Sequence, residues 1–274
     1  MRGVILGTVA TAKRDLRILF RYKTWLVSMV IWPSLFPLAY IFTSRSLAGP
    51  KGEGLASYVR YAGTSDYVAY VLTGTILWMW LNMMLWNFGG ALRNEQQRGT
   101  LETNWLSPAP KWFLLTGSAL SDAVNWSFFM LAAGLEFFFL FGFRVHGSPA
   151  LLALVLLLSV PSIYGLGMIF ASAVLWAKEL NIAVNVVRGF VMIFSGMTYP
   201  VTVLPTWMRT VSGFIPLTHS IDATRAVVAG AGWSQISSDV LFLAWSGLGL
   251  VAVGFATFAV AQRVVRRQGS LGLY

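Results

Sequence analysis

Residues 67–102 read YVAYVLTGTILWMWLNMMLWNFGGA (Tyr67–Ala91), then Leu92, then RNEQQRGTLE (Arg93–Glu102). The first part carries no charged side chain and, as a helix, is long enough to cross the roughly 30 Å hydrocarbon core of a bilayer. The second part is charged and amphipathic, and a further apolar run, Leu114–Phe141, follows it. Hydrophilic sequence hung between two membrane crossings must sit at a membrane face. Its pattern suggests that it touches something else there.

The same reading extended outward predicts an all-α membrane protein with six transmembrane helices. These are Trp25–Thr43, Tyr67–Ala91, Leu114–Phe141, Leu151–Ala177, Asn185–Val203 and Val240–Gln262. Together they form one six-span bundle over 24–262, in a chain that is a single domain over 1–274. The first span carries Pro33 and Pro37 and is expected to kink there. Composition agrees: 57% of the 274 residues are hydrophobic and 11% charged, against about 25% charged in soluble domains. Mean hydropathy is +0.68. The absence of cysteine excludes disulfides, thiolate metal sites and cysteine nucleophiles.

Lysine and arginine fix an orientation. One side of the predicted bundle collects Arg2, Lys13, Arg14, Arg17, Arg21 and Lys23, then Arg93, Arg98 and Lys111, then Lys178, then Arg263, Arg266 and Arg267. The other side holds only Arg45, Lys51, Arg60, Arg144, Arg209 and Arg225. The excess puts both termini, including a tail over 263–274, in the cytoplasm. It also accounts for the net charge of +10 without nucleic acid as a partner.

Before the first span, Ile5, Val9, Ala12, Leu16 and Leu19 recur at helical spacing, with Lys13, Arg17 and Arg21 on another face. This predicts a basic amphipathic helix within residues 1–23, lying along the inner leaflet. Between the fifth and sixth spans, residues 204–233 are too apolar for an exposed loop and too broken for a crossing. Two short helices dipping into the outer leaflet, hinged at Pro216, fit that pattern. Gly247, Gly249 and Gly254 in the last span predict close helix packing.

Catalytic patterns are missing. The sequence has no Gly-x-x-x-x-Gly-Lys-Ser/Thr loop, no His-Glu-x-x-His and no Gly-x-Ser-x-Gly. No catalytic, cofactor-binding or metal-ligating residue is therefore assigned. The two histidines, His146 and His219, read as structural or solvated. Asp122 and Glu136 fall near opposite ends of the third span, about 21 Å apart along a helix, too far to act as a paired acid and base. Both are expected to be partly solvated. Trp78 and Asn82 in the second span, and Asn185, Arg188, Met192 and Ser195 in the fifth, are candidate pathway residues. Polar groups at membrane depth face protein or water rather than lipid, so packing between helices and lining of a path both stay open.

The segment Glu95-x-x-x-Gly99-Thr100-x-Glu102, closed by Ser107-Pro108, resembles the coupling segment of permease subunits of type-two ABC exporters. Further matches follow in the same order: Ser195-Gly196 through Tyr199-Pro200, Leu204-Pro205-x-Trp207, Ile215-Pro216-Leu217-Thr218 and Asp222-Ala223-x-Arg225. The resemblance implies a coupling helix near 93–108, with Arg93, Glu95, Arg98, Gly99, Thr100 and Glu102 meeting a separate ATP-binding subunit. Glu95 and Glu102 are seven apart, near one helical face. It further implies two such subunits, a second permease copy or a paralogue, and the cell (inner) membrane of a bacterium or archaeon. ATP and Mg would be held by the partner, and no cofactor by this chain. First, second and fifth spans would line the path. Its aromatic and Met-rich stretches, with Trp80, Met83, Met84, Phe194 and Met197, suit a hydrophobic or amphipathic drug, antibiotic or lipid-like cargo. A polysaccharide or lipid-linked glycan is the alternative. A membrane enzyme, a channel or a secondary carrier is the reading outside this family.

Overall fold

The computed structural model describes residues 2–48, 61–62, 64, 66–97, 99, 103, 112–177 and 180–268, and every regular element among them is helical. In chain order these are α1 (Arg2–Arg21), α2 (Lys23–Ala48), α3 (Tyr67–Gln97), α4 (Trp112–Phe141), α5 (Pro149–Ala177), α6 (Leu180–Phe194), α7 (Thr206–Ser212), α8 (Pro216–Val228) and α9 (Trp233–Gln268). A single 3-10 turn, Val201–Val203, lies between α6 and α7.

Five of these helices are long and apolar enough to cross a membrane, within α2, α3, α4, α5 and α9. α2 runs unbroken through both Pro33 and Pro37. α9 begins before the expected Val240 and continues past Gln262, so the first residues of the expected tail are helical. α3 is the central helix: 78% of its span is buried, against 22–44% for the other four. A helix that is apolar all round belongs in the middle of its bundle. There Trp80 stacks on Trp126 at 5.2 Å between ring centroids, and Tyr164 meets both Trp80 and Phe88 edge-on.

Lipid gives apolar helices little reason to associate, so close contact between small residues must do so. The α5–α9 seam shows it. A Cβ on Gly165 would lie 2.6 Å from the Leu250 carbonyl carbon, and one on Gly254 would lie 2.8 Å from Met168 Cβ. Gly247 abuts Pro161, whereas Gly249 faces open space. Ser162 donates to the Leu243 carbonyl at 3.1 Å, and Ser159 to Ser220 of α8 at 2.8 Å.

The fifth predicted run differs from its expected bounds, Asn185–Val203. α6 begins before the expected Asn185 and is continuous through Arg188. It has 15 residues, about 22 Å at 1.5 Å each, and stops at Phe194. The physical reason is Gly196, whose φ of +67° takes the left-handed conformation that ends helices. Two short helices follow, with Pro216 at the first position of α8, where its missing N–H costs nothing.

α1 leans on α4. A Cβ on Gly117 would lie 2.5 Å from Thr11 Cβ, Thr8 and Thr116 hydroxyls pair at 3.0 Å, and Ser118 donates to Asp15 at 3.2 Å. The contact face is thus Thr8, Thr11, Ala12 and Asp15. Of the expected apolar stripe, Ile5 and Val9 are exposed and only Ala12 is buried. Lys13, Arg17 and Arg21 are exposed, as their face requires.

Candidate functional site

α2, α3, α4 and α6 enclose a cavity of about 430 Å³. Trp25, Ser28, Met29, Trp32 and Phe36 come from α2, Trp78, Met79, Asn82, Met83, Trp86 and Asn87 from α3, Phe129 from α4 and Arg188 from α6. The α2 residues recur at three, four and seven, which places them on one helical face. Phe36 stacks on Trp78 at 5.2 Å and 6°, joining the α2 and α3 walls. The Arg188 guanidinium stands 6.0 Å from the Trp78 ring centroid, and Trp78 Nε1 donates to the Arg188 carbonyl at 3.4 Å. The Oδ1 of Asn82 is buried with no hydrogen-bond partner among the described residues.

Of the predicted pathway residues, the structure brings Trp78, Asn82 and Arg188 together here. Asn185 is exposed and donates to the Asn181 carbonyl at 2.8 Å. Met192 lies beside the Tyr40 hydroxyl at 3.9 Å, and Ser195 is fully buried in the turn after α6. Met83 faces the cavity, whereas Trp80 and Met84 point into the core, Met84 against Gly167. The α2 residues went unnamed in the sequence reading. Their signal was the spacing of Trp25, Trp32 and Phe36.

A second, polar cavity of about 140 Å³ opens where α1, α3 and α4 meet. Glu95, only 3% exposed, pairs with Arg14 of α1 at 2.6 Å, and Arg14 also holds Asp15 at 2.9 Å. Burial pulls the Arg14 guanidinium down in pKa, but Glu95 and Asp15 more than reverse it, and the net direction is up. Deeper in, Asp122 accepts from the Asn87 amide and from the Tyr164 hydroxyl, the latter at 2.7 Å. Asp122 is therefore buried rather than partly solvated as expected, because two donors compensate its carboxylate. Glu136 is partly exposed, as expected; it accepts from Ser34, and its Oε1 is buried with no hydrogen-bond partner among the described residues.

α3 ends at Gln97, and Gly99 beyond it has a φ of +69°, a left-handed conformation that suits glycine. Arg98, Thr100 and Glu102 lie outside the described residues, as does the Arg93 side chain.

A model of the ABC-2 family transporter protein matches residues 34–256, from the middle of α2 into α9. The chain belongs to the ABC-2 transporter family. It is accordingly a multi-pass membrane protein of that family, with α1 ahead of the matched residues. Two Escherichia coli proteins, from strains K12 and O157:H7, are similar to it, each named a probable multidrug ABC transporter permease YbhR. Each is 23% identical over 182 residues, which cover 65% of this chain and 47% of the relative. The chain thus spans about half the length of the curated relatives it matches.

At the end of the bundle away from α1, this ABC-2 family chain holds a clamp that the sequence did not announce. Arg225 of α8 donates to the carbonyls of Tyr70 at 3.1 and 3.2 Å, Gly196 at 2.9 Å and Met197 at 2.6 Å. Its guanidinium lies 3.3 Å from the Tyr70 ring centroid. A Cβ at Gly74 would sit 1.9 Å from the Met197 oxygen, so only glycine admits the turn. One side chain therefore ties α8 to the start of α3 and to the end of α6. Beside it, His219 points Nδ1 at Asp239 (2.7 Å) and Nε2 at the Gly213 carbonyl (3.0 Å), with Phe242 stacked on the ring at 3.9 Å. Two acceptors suit the doubly protonated ring. Burial lowers its pKa, Asp239 and Gly213 raise it, and the net direction is up.

Proposed function

We propose that this chain is the transmembrane permease subunit of an ATP-driven ABC exporter, moving a hydrophobic or amphipathic cargo out of the cytoplasm or the inner leaflet. The observation that carries the reading is the aromatic cavity bounded by α2, α3 and α6 in a chain of the ABC-2 transporter family. A similar protein in Escherichia coli bears the name of a probable multidrug permease, which favours a drug-like cargo. In this reading α6 and the turn after it complete a sixth crossing. α7 and α8 re-enter the outer leaflet, and both termini are cytoplasmic.

In this reading force reaches the permease from a partner, in keeping with the lack of a nucleotide loop in residues 1–274. Two ATP-binding subunits, carrying ATP and Mg, dock on residues 93–108 of two permease copies or of this chain and a paralogue. The Arg14–Glu95 pair supports a role for α1 in the same contact, since a push on the 93–108 segment also moves α1. The first and second crossings then shift against α6, and the cavity opens outward. Arg225 holds the outer turn while this happens.

Purified permease is to be reconstituted in vesicles with and without its ATP-binding subunit. Cargo movement that needs both the partner and ATP supports the reading, and movement by the permease alone without nucleotide refutes it. Glu102→Ala combined with Gly99→Trp should leave the protein inserted and ATP hydrolysed but stop export. Normal export by that double variant would dismiss the coupling segment.

A further inference from the structure

Building on the permease reading, we propose that the α2–α3–α6 cavity selects an anionic aromatic amphiphile: a flat apolar body bearing an acidic head group that pairs with Arg188. Six aromatic rings line the space, those of Trp25, Trp32, Phe36, Trp78, Trp86 and Phe129. Such a box ordinarily suggests a cationic guest held over ring faces. Three observations reverse the sign. No carboxylate lines the cavity among the described residues. Acids on the same helices face other groups: Asp122 meets Asn87 and Tyr164, Glu136 accepts from Ser34 through one oxygen while its Oε1 has no hydrogen-bond partner among the described residues, and Asp15, in the adjoining groove that shares Trp25 and Ser28, holds Arg14. And Arg188, half-buried, already occupies the Trp78 side, with no hydrogen bond or ion pair from its guanidinium among the described residues.

A cationic guest would meet a like charge with no counter-ion beside it. An anionic guest would supply the carboxylate, sulfonate or phosphate that a guanidinium holds best, through two parallel N–H donors. The buried Asn82 Oδ1 adds a requirement for a hydroxyl or amide donor near the head group. The volume, about 430 Å³, is that of a small-molecule site and too small to enclose both chains of a phospholipid. The proposed occupant is a free cargo, and an acidic lipid partly inserted is the competing source that the test separates.

Two fluorescent probes of opposite charge test this on the full chain in lipid nanodiscs: anilinonaphthalene sulfonate and ethidium, read by energy transfer from tryptophan. The sulfonate should bind saturably. Arg188→Gln should weaken it about tenfold, as expected for loss of one charge-assisted contact, and Arg188→Lys less. An unchanged melting temperature in Arg188→Lys guards against simple misfolding. Equal sulfonate binding by wild type and Arg188→Gln, or tighter binding of ethidium by wild type, overturns the proposal. Discs with and without phosphatidylglycerol separate the two sources of acidic amphiphile. The ratio between wild type and Arg188→Gln should be the same in both, and its collapse in phosphatidylglycerol means that the lipid is the ligand. Transport with the ATP-binding partner distinguishes the two levels of failure. ATP-driven ethidium export that survives Arg188→Gln rejects the anionic cargo and keeps the permease. Arg188-dependent sulfonate binding without any ATP-driven movement keeps the site and rejects the permease.

Discussion

The seam between α5 and α9 and the cavity between α2 and α6 are built from opposite materials. The seam is made of glycine and serine, with backbone against backbone at Gly165 and Leu250 and hydroxyl hydrogen bonds at Ser162. The cavity is walled by tryptophan, phenylalanine and methionine, and several of those side chains are exposed, Trp32 at 56%. Small residues allow helices to lock, and large rings hold them apart while keeping the space between them apolar. Within the proposed function, the contrast makes α5 and α9 a static frame and the walls around the α2–α6 cavity the moving, cargo-facing half.

The most damaging way to break the contrast is to thicken the seam. Gly165→Leu forces backbone apart at Leu250 and should cost about 3 kcal/mol, seen as a large fall in melting temperature in detergent. Next comes the clamp. Arg225→Ala leaves three carbonyls without their donor and should cost about 2 kcal/mol, with new protease sensitivity at residues 195–200. On the cavity side, Trp32→Ala removes a ring that is more than half exposed and should change stability by less than about 1 kcal/mol, while reducing cargo binding. A melting temperature that falls as far for Trp32→Ala as for Gly165→Leu would erase the distinction.

The smallest effect concerns pH. The folded-state pKa of His219 lies above its ordinary value, so the stability it contributes is complete below about pH 6.5 and is lost as pH rises through the folded pKa. Melting temperature should therefore decline as pH rises above about 6.5, and His219→Gln should flatten that decline. A steeper decline in the variant would refute the His219–Asp239 assignment.

Much of the frame could be read in the sequence. Five apolar runs became five long helices, because crossing length and hydropathy are local properties. Gly247 and Gly254 packed as their composition suggested. What escaped was whatever depended on partners distant in the chain. α6 is short because Gly196 turns left-handed and Arg225 captures the carbonyls that follow. Neither residue announces this alone. Glu95 reads as one of a charged group, yet it faces Arg14 some eighty residues earlier in the chain. In the cavity, Trp78, Asn82 and Arg188 were legible as polar or aromatic anomalies within spans. The α2 wall was not, since Trp25 at the span's end equally suits the membrane interface and mid-span Trp32 and Phe36 look like any apolar residues of a crossing helix.

The division into frame and moving half is tested most directly by distance. The native chain has no cysteine, so spin labels can be introduced at exposed pairs: Val30 with Val186 across the cavity, and Leu157 with Leu248 across the seam. Pulsed electron resonance on the permease bound to its ATP-binding partner then compares nucleotide-free and ATP-trapped states. The account predicts that the Val30–Val186 distance distribution shifts while Leu157–Leu248 stays fixed. A shift across the seam with a motionless cavity would contradict it.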